Sequence, residues 1–112
     1  MKFSYEGIGA WSATFAAQDV TEGQVVKLSA SDTASPCAKG NPFIGVVISQ
    51  HNGICGVQMG GLAEVPYSGS APAVGKVSLT ADGKGGVCTG ESGEKYLVVS
   101  VDTVRSTCVI RL

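Results

Sequence analysis

Phe43-Ile44-Gly45-Val46-Val47-Ile48-Ser49-Gln50-His51-Asn52-Gly53-Ile54-Cys55-Gly56-Val57-Gln58-Met59-Gly60 reads as a β-hairpin, and the fold class follows from it. Asn52-Gly53 is the preferred pair for a two-residue type I′ turn, whose central positions both need φ > 0. If the hairpin closes there, Gln50 faces Cys55, Ile48 faces Val57 and Val46 faces Met59. Side chains alternate across a sheet. One face then carries Ile44, Val46, Ile48, Cys55, Val57 and Met59, apolar throughout and the expected core. The other carries Gly45, Val47, Ser49, His51, Ile54, Gly56, Gln58 and Gly60. A one-residue slip would mix the two sets, so the register is well specified.

The same pattern extends in both directions. Gln24 to Ala30 follows the Glu22-Gly23 turn, and Leu62 to Tyr67 follows Gly60-Gly61, with Pro66 marking an end or an edge. Lys76 to Ala81, Gly86 to Thr89, Tyr96 to Asp102 and Thr107 to Leu112 complete the set. Ala81-Asp82-Gly83-Lys84-Gly85-Gly86 reads as a second hairpin loop, and Tyr67 to Pro72 as a surface loop. Ala10 to Ala17 reads as a strand or an extended arm, without a helix cap. Strands recurring every ~8–12 residues with turn signals between them predict a sandwich or a small barrel. The expectation is an all-β chain: a small β-barrel or β-sandwich of about eight short strands. Residues 1–18 form an N-terminal extended arm or first strand, and residues 19–112 a single domain.

Composition narrows the function. The chain has 112 residues, 44% hydrophobic and only 15% charged, against about 25% charged in an average domain. It is too apolar to read as disordered. Eight basic and nine acidic residues nearly balance, with no basic cluster, so the electrostatic footprint of a nucleic-acid binder is missing. No apolar run reaches the ~20 residues of a membrane-spanning helix. The start, Met1 to Gly7, lacks the apolar stretch of a signal peptide, so synthesis in the cytosol is expected. Cys37, Cys55, Cys88 and Cys108 contain no Cys-x-x-Cys pair, which leaves zinc and dithiol chemistry unsupported. Free, buried thiols are expected instead.

The residues that carry chemistry are sparse. His51 is the one histidine, beside the Asn52-Gly53 turn, and reads as an exposed turn residue. A catalytic triad would have to use it, and no Gly-x-Ser-x-Gly elbow accompanies it. Asp19, Glu22, Asp82, Glu91 and Glu94 lie in predicted turns, where carboxylates cap and solvate. Glu64 sits within a strand and should point to solvent by alternation. Gly60-Gly61 and Gly83-Lys84-Gly85-Gly86 lack the phosphate-loop pattern and read as turns or bulges. No metal, cofactor or catalytic residues are assigned. Four aromatics, Phe3, Tyr5, Trp11 and Phe15, fall in the first 15 residues. They either pack into the chain's own core or anchor on another subunit, since aromatic anchors dominate interface energies. These four are the candidate interface residues.

Several segments in order carry a family resemblance: Val20 to Val26, Phe43 to Val47, Gly56 to Pro66, Val74 to Val87 and Cys108 to Leu112. Over residues 20–112, their glycine and valine spacings resemble the small capsid cement, or head decoration, proteins of tailed phages and prophages. The chain departs from that family in its cysteines and its aromatic first segment. The resemblance implies a non-enzymatic structural protein on the outer capsid surface of a virion, made in the bacterial host cytoplasm. Its partner would be the major capsid protein, with self-association, a trimer suiting three-fold positions, and no nucleic acid or membrane. Two other readings stay open. One is a small-molecule or glycan-binding β-barrel, which needs a concave apolar pocket. The other is a thiol enzyme using Cys37, beside a Ser35-Pro36 turn, with His51.

Overall fold

The Asn52-Gly53 turn forms with both residues at positive φ, 50° and 76°, the signature of type I′. The structure, a computed structural model, describes residues 10–112, and the described chain is all β. Its ten strands are β1 (Trp11–Ala17), β2 (Val25–Ala30), β3 (Thr33–Pro36), β4 (Gly45–His51), β5 (Ile54–Gly60), β6 (Leu62–Pro66), β7 (Gly75–Ala81), β8 (Val87–Thr89), β9 (Glu94–Asp102) and β10 (Thr107–Arg111). The first five close into a barrel in the order β1-β3-β2-β4-β5, and the rest form a second sheet in the order β6-β10-β9-β7-β8. Ten strands replace the eight or so expected, and the barrel is one of two sheets rather than the whole domain.

Thr33–Pro36 is a strand, whereas Ser35-Pro36 reads as a turn in sequence. Pro36 stands at its last position, paired with Val26. Tertiary pairing makes the strand: β3 lies antiparallel to β2 and parallel to the end of β1, and this closes the barrel.

The central hairpin keeps its predicted register near the turn: His51 faces Ile54 and Gln50 faces Cys55. The register then shifts between Val47 and Ser49, so Val47 faces Val57 and Val46 faces Gln58. Ile48 is the extra residue of this β-bulge and stands 50% exposed, not in the core. Bulges add local twist and bend, which a small closed barrel requires. Val47, expected on the outer face, is fully buried instead.

Two adjacent cores explain this. Val26, Ala34, Val47, Cys55 and Val57 fill the barrel interior, with Phe15, Ala17, Ile44 and Met59 packed against them. Val25 and Val46 point the other way, into a larger core with Ala63, Val65, Leu79, Val87, Val98, Cys108 and Ile110. β2 and β4 are therefore covered on both sides at their starts, Val25-Val26 and Val46-Val47. Strands buried on both faces read as continuous apolar runs, and Val25-Val26 and Val46-Val47 are those runs.

The chain crosses between the sheets at Gly60-Gly61. Gly61 has φ 83°, and a Cβ on Gly60 would collide with the Trp11 indole. Leu112 N–H donates to Gly61 O at 2.9 Å, which pins the last residue to the crossing. Gln58 Nε2 donates to the carbonyls of Gly60 and Leu62, both at 3.0 Å. Phe43 stacks on Tyr96 with centroids 4.8 Å apart and planes at 14°, fastening the barrel to β9. The second sheet nearly closes as well, because Tyr67, just past β6, bridges Val87 of β8.

Candidate interaction surface

β1, β5 and β4 are neighbours and form one wall of the barrel. Ala13, Phe15, Cys55 and Val57 turn inward, and the alternate positions turn outward. Outside, Ser12 of β1 faces Gln58 of β5, Thr14 faces Gly56 and Ala16 faces Ile54. On the far side of β5, Ser49 faces Gly56 and His51 faces Ile54. Ile48 leans over Gly56: its Cγ1 would lie 3.5 Å from a Cβ placed there. Ile54 is 54% exposed beside it. At the other end of β1, Trp11 is 57% exposed over Gly60.

None of these three strands carries Asp, Glu, Lys or Arg, and none occurs between Lys39 and Glu64. Charge is placed elsewhere: Lys27 on β2, Glu64 on β6, Lys76 on β7, Glu94, Lys95 and Asp102 on β9, Arg111 on β10. Charged residues are depleted and aromatics enriched where interfaces have their centre. Small outward side chains at Ser12, Thr14, Ala16, Ser49 and Gly56 beside exposed Ile48 and Ile54 suit a protein contact.

Of the four aromatics singled out in sequence, Trp11 is exposed and Phe15 packs against the barrel core. Phe3 and Tyr5 lie outside the described residues. Ile48 was hidden by the bulge. The long uncharged stretch between Lys39 and Glu64 was the available sequence signal for this wall.

The residues a thiol enzyme would use are apart in their contacts. His51 is exposed, with Nε2 3.1 Å from Asn52 Nδ2. Cys37 is buried in the larger core, its Sγ 3.9 Å from Pro42 O. Burial pushes the Cys37 thiol up, against a smaller opposing pull from Lys27. Burial likewise raises Cys55, partly offset by a hydrogen bond from the Phe15 backbone. Cys108 is pushed up to about 11 by burial, with Glu64 adding to it. Such thiols are poor nucleophiles near neutral pH. All four cysteines are free, and Cys88 is half-buried with Thr80 Oγ1 3.6 Å away.

Glu64 and Asp82 each hold neighbouring groups. Glu64 points outward as alternation predicts, 3.6 Å from Arg105. Asp82 is only 8% exposed and organises the β7–β8 loop: Oδ1 accepts from Lys84 N–H at 2.6 Å and Gly86 N–H at 3.0 Å, and Oδ2 from Ser68 Oγ at 2.6 Å. Among the described residues, no group of His, Cys, Asp and Glu converges as a metal site. No protein-family model matches the chain, and no curated protein sequence matches it.

Proposed function

We propose that this chain is a non-enzymatic structural protein that decorates and stabilises the capsid shell of a tailed phage or prophage, bound to the major capsid protein on the virion surface. The observation that carries this reading is the uncharged outer wall of β1, β5 and β4 with Ile48 and Ile54 exposed on it. The order of glycine and valine segments over residues 20–112 supports the same reading. So does the barrel interior, which is packed with its own side chains and leaves the outside to do the work. A protein that binds only the assembled shell stabilises it by mass action. Many copies on a symmetric lattice let each contact be modest.

The test is co-sedimentation of the purified chain with expanded capsids of its own phage or prophage. Saturable binding that raises the temperature of capsid disruption is expected. An Ile48→Asp/Ile54→Asp variant, altered only at exposed positions, should bind at least ~10-fold more weakly. Wild-type protein that stays in the supernatant would refute the proposal.

A further inference from the structure

The barrel closes only along part of β1. Ala16 N–H donates to Asp32 O at 2.8 Å and Gln18 N–H to Ala34 O at 3.0 Å, so the even-numbered residues of β1 point toward β3. Ala17 N–H donates to Gly53 O at 2.8 Å, so the odd-numbered ones point toward β5. The pairing with β3 covers Ala16 and Ala17 alone. Ser12 and Thr14 keep their ladder to β5 on one side. On the other, their N–H and C=O groups face outward, and among the described residues no backbone hydrogen bond reaches them.

An edge left in this way is a template for strand addition, which native sheets usually block with Lys, Pro or an inward charge. From Ser12 to Ala16 none of these is present, and the β1 bulge lies before Ser12. We infer that this edge pairs with the same edge of a second copy of the chain, antiparallel, about a two-fold axis at Ala13. Ser12 would then exchange both backbone hydrogen bonds with Thr14 of the second copy, and Thr14 with Ser12. Ala13 would meet Ala13 across the axis as a non-hydrogen-bonded pair.

The absence of charge and the pairing of hydroxyls favour a second copy as the occupant. A second copy always brings the same charges, and like charges directly opposite are destabilising. About an axis at Ala13, Ser12 meets Thr14 and only Ala13 meets itself, and β1 carries no charged residue, so no like charges are set opposite each other. Hydroxyl pairs across strands are favourable, and Ser12 opposite Thr14 makes such pairs on both sides of the axis. The contact is short, because β3 already holds Ala16. It joins two β1-β5-β4 walls into one continuous face that displays Ile48 and Ile54 twice. An isologous contact of this kind closes at two copies.

Sedimentation of the full chain from micromolar to millimolar concentration tests this, with fluorescence of the single tryptophan, Trp11, read in parallel. The expected result is a monomer passing to a dimer, with Trp11 emission moving to shorter wavelength in step. Thr14→Pro removes the outward N–H and leaves the β5 side of the ladder intact. Ser12→Lys/Thr14→Lys places like charges across the axis and carries the test if the proline variant does not fold. Each should weaken dimerisation at least ~10-fold with an unchanged β-sheet circular dichroism spectrum. A wild-type chain that stays monomeric at millimolar concentration would overturn the inference. So would a trimer, or a dimer that both variants leave unaltered. None of these readouts involves a capsid, so failure here and failure of shell binding are separate results.

Discussion

Removing the Asp82 carboxylate should loosen the second sheet more than any other single surface-loop change. Its two oxygens hold three donors: the backbone N–H groups of Lys84 and Gly86, and Ser68 Oγ. Ser68 follows the end of β6, and Lys84 and Gly86 belong to the β7–β8 loop, so Asp82 ties together the two ends of the sheet. In Asp82→Ala the buried Gly86 N–H loses its side-chain acceptor, a cost of about 1–3 kcal/mol. The part-buried Lys84 N–H and Ser68 hydroxyl can turn to water, and add about 0.5–1.5 kcal/mol each. Relief of the carboxylate's own desolvation offsets part of this. The expected total is roughly 3 kcal/mol. Asp82→Asn keeps an acceptor for both N–H groups and offers Nδ2 to Ser68, so it should cost only about 1–2 kcal/mol. Urea unfolding at an unchanged m-value measures both. Hydrogen exchange adds a local reading, since Ser68 N–H donates to Val87 O at 2.9 Å across the closure and should lose protection in Asp82→Ala. An alanine variant within ~0.5 kcal/mol of wild type, or an asparagine variant as damaged as alanine, would refute the reasoning.

Two other expectations concern the cores. Ile48→Lys should change stability by less than ~1 kcal/mol, because Ile48 sits on the bulge and is half exposed, whereas Val47→Ala should cost about 2 kcal/mol or more; the opposite ranking in urea unfolding would mean the hairpin runs without its bulge. Stability should also fall with rising pH above about 9. Cys108, 1% exposed, ionises near 11 when folded against 9.0 unfolded, so between those values only the unfolded chain gives up the proton. The unfolded state then binds fewer protons, the slope is negative, and the loss is roughly 2–3 kcal/mol by pH 11. Cys108→Ala should flatten that part of the urea-midpoint profile, and an unaltered profile would count against the assignment.

The alternation of apolar and polar residues, the Asn52-Gly53 turn and the Ala81 to Gly86 loop were local signals, and they determined an all-β chain with its hairpins. Those features depend on φ preferences and on a two-residue period, which a sequence displays directly. The two-sheet arrangement does not show in that way. Val25-Val26 and Val46-Val47 each place one side chain in the barrel and the next in the neighbouring core, and no single-face pattern can express that. Ile48 left the core because barrel curvature needs a bulge, a demand set by closure rather than by the residue itself. β3 exists because β1 and β2 are there to receive it, although Ser35-Pro36 locally favours a turn. The uncharged wall was readable as the long gap between Lys39 and Glu64, yet only the strand order β1-β5-β4 makes it one surface. The open edge at Ser12 and Thr14 is likewise a tertiary fact, because it depends on where β3 stops.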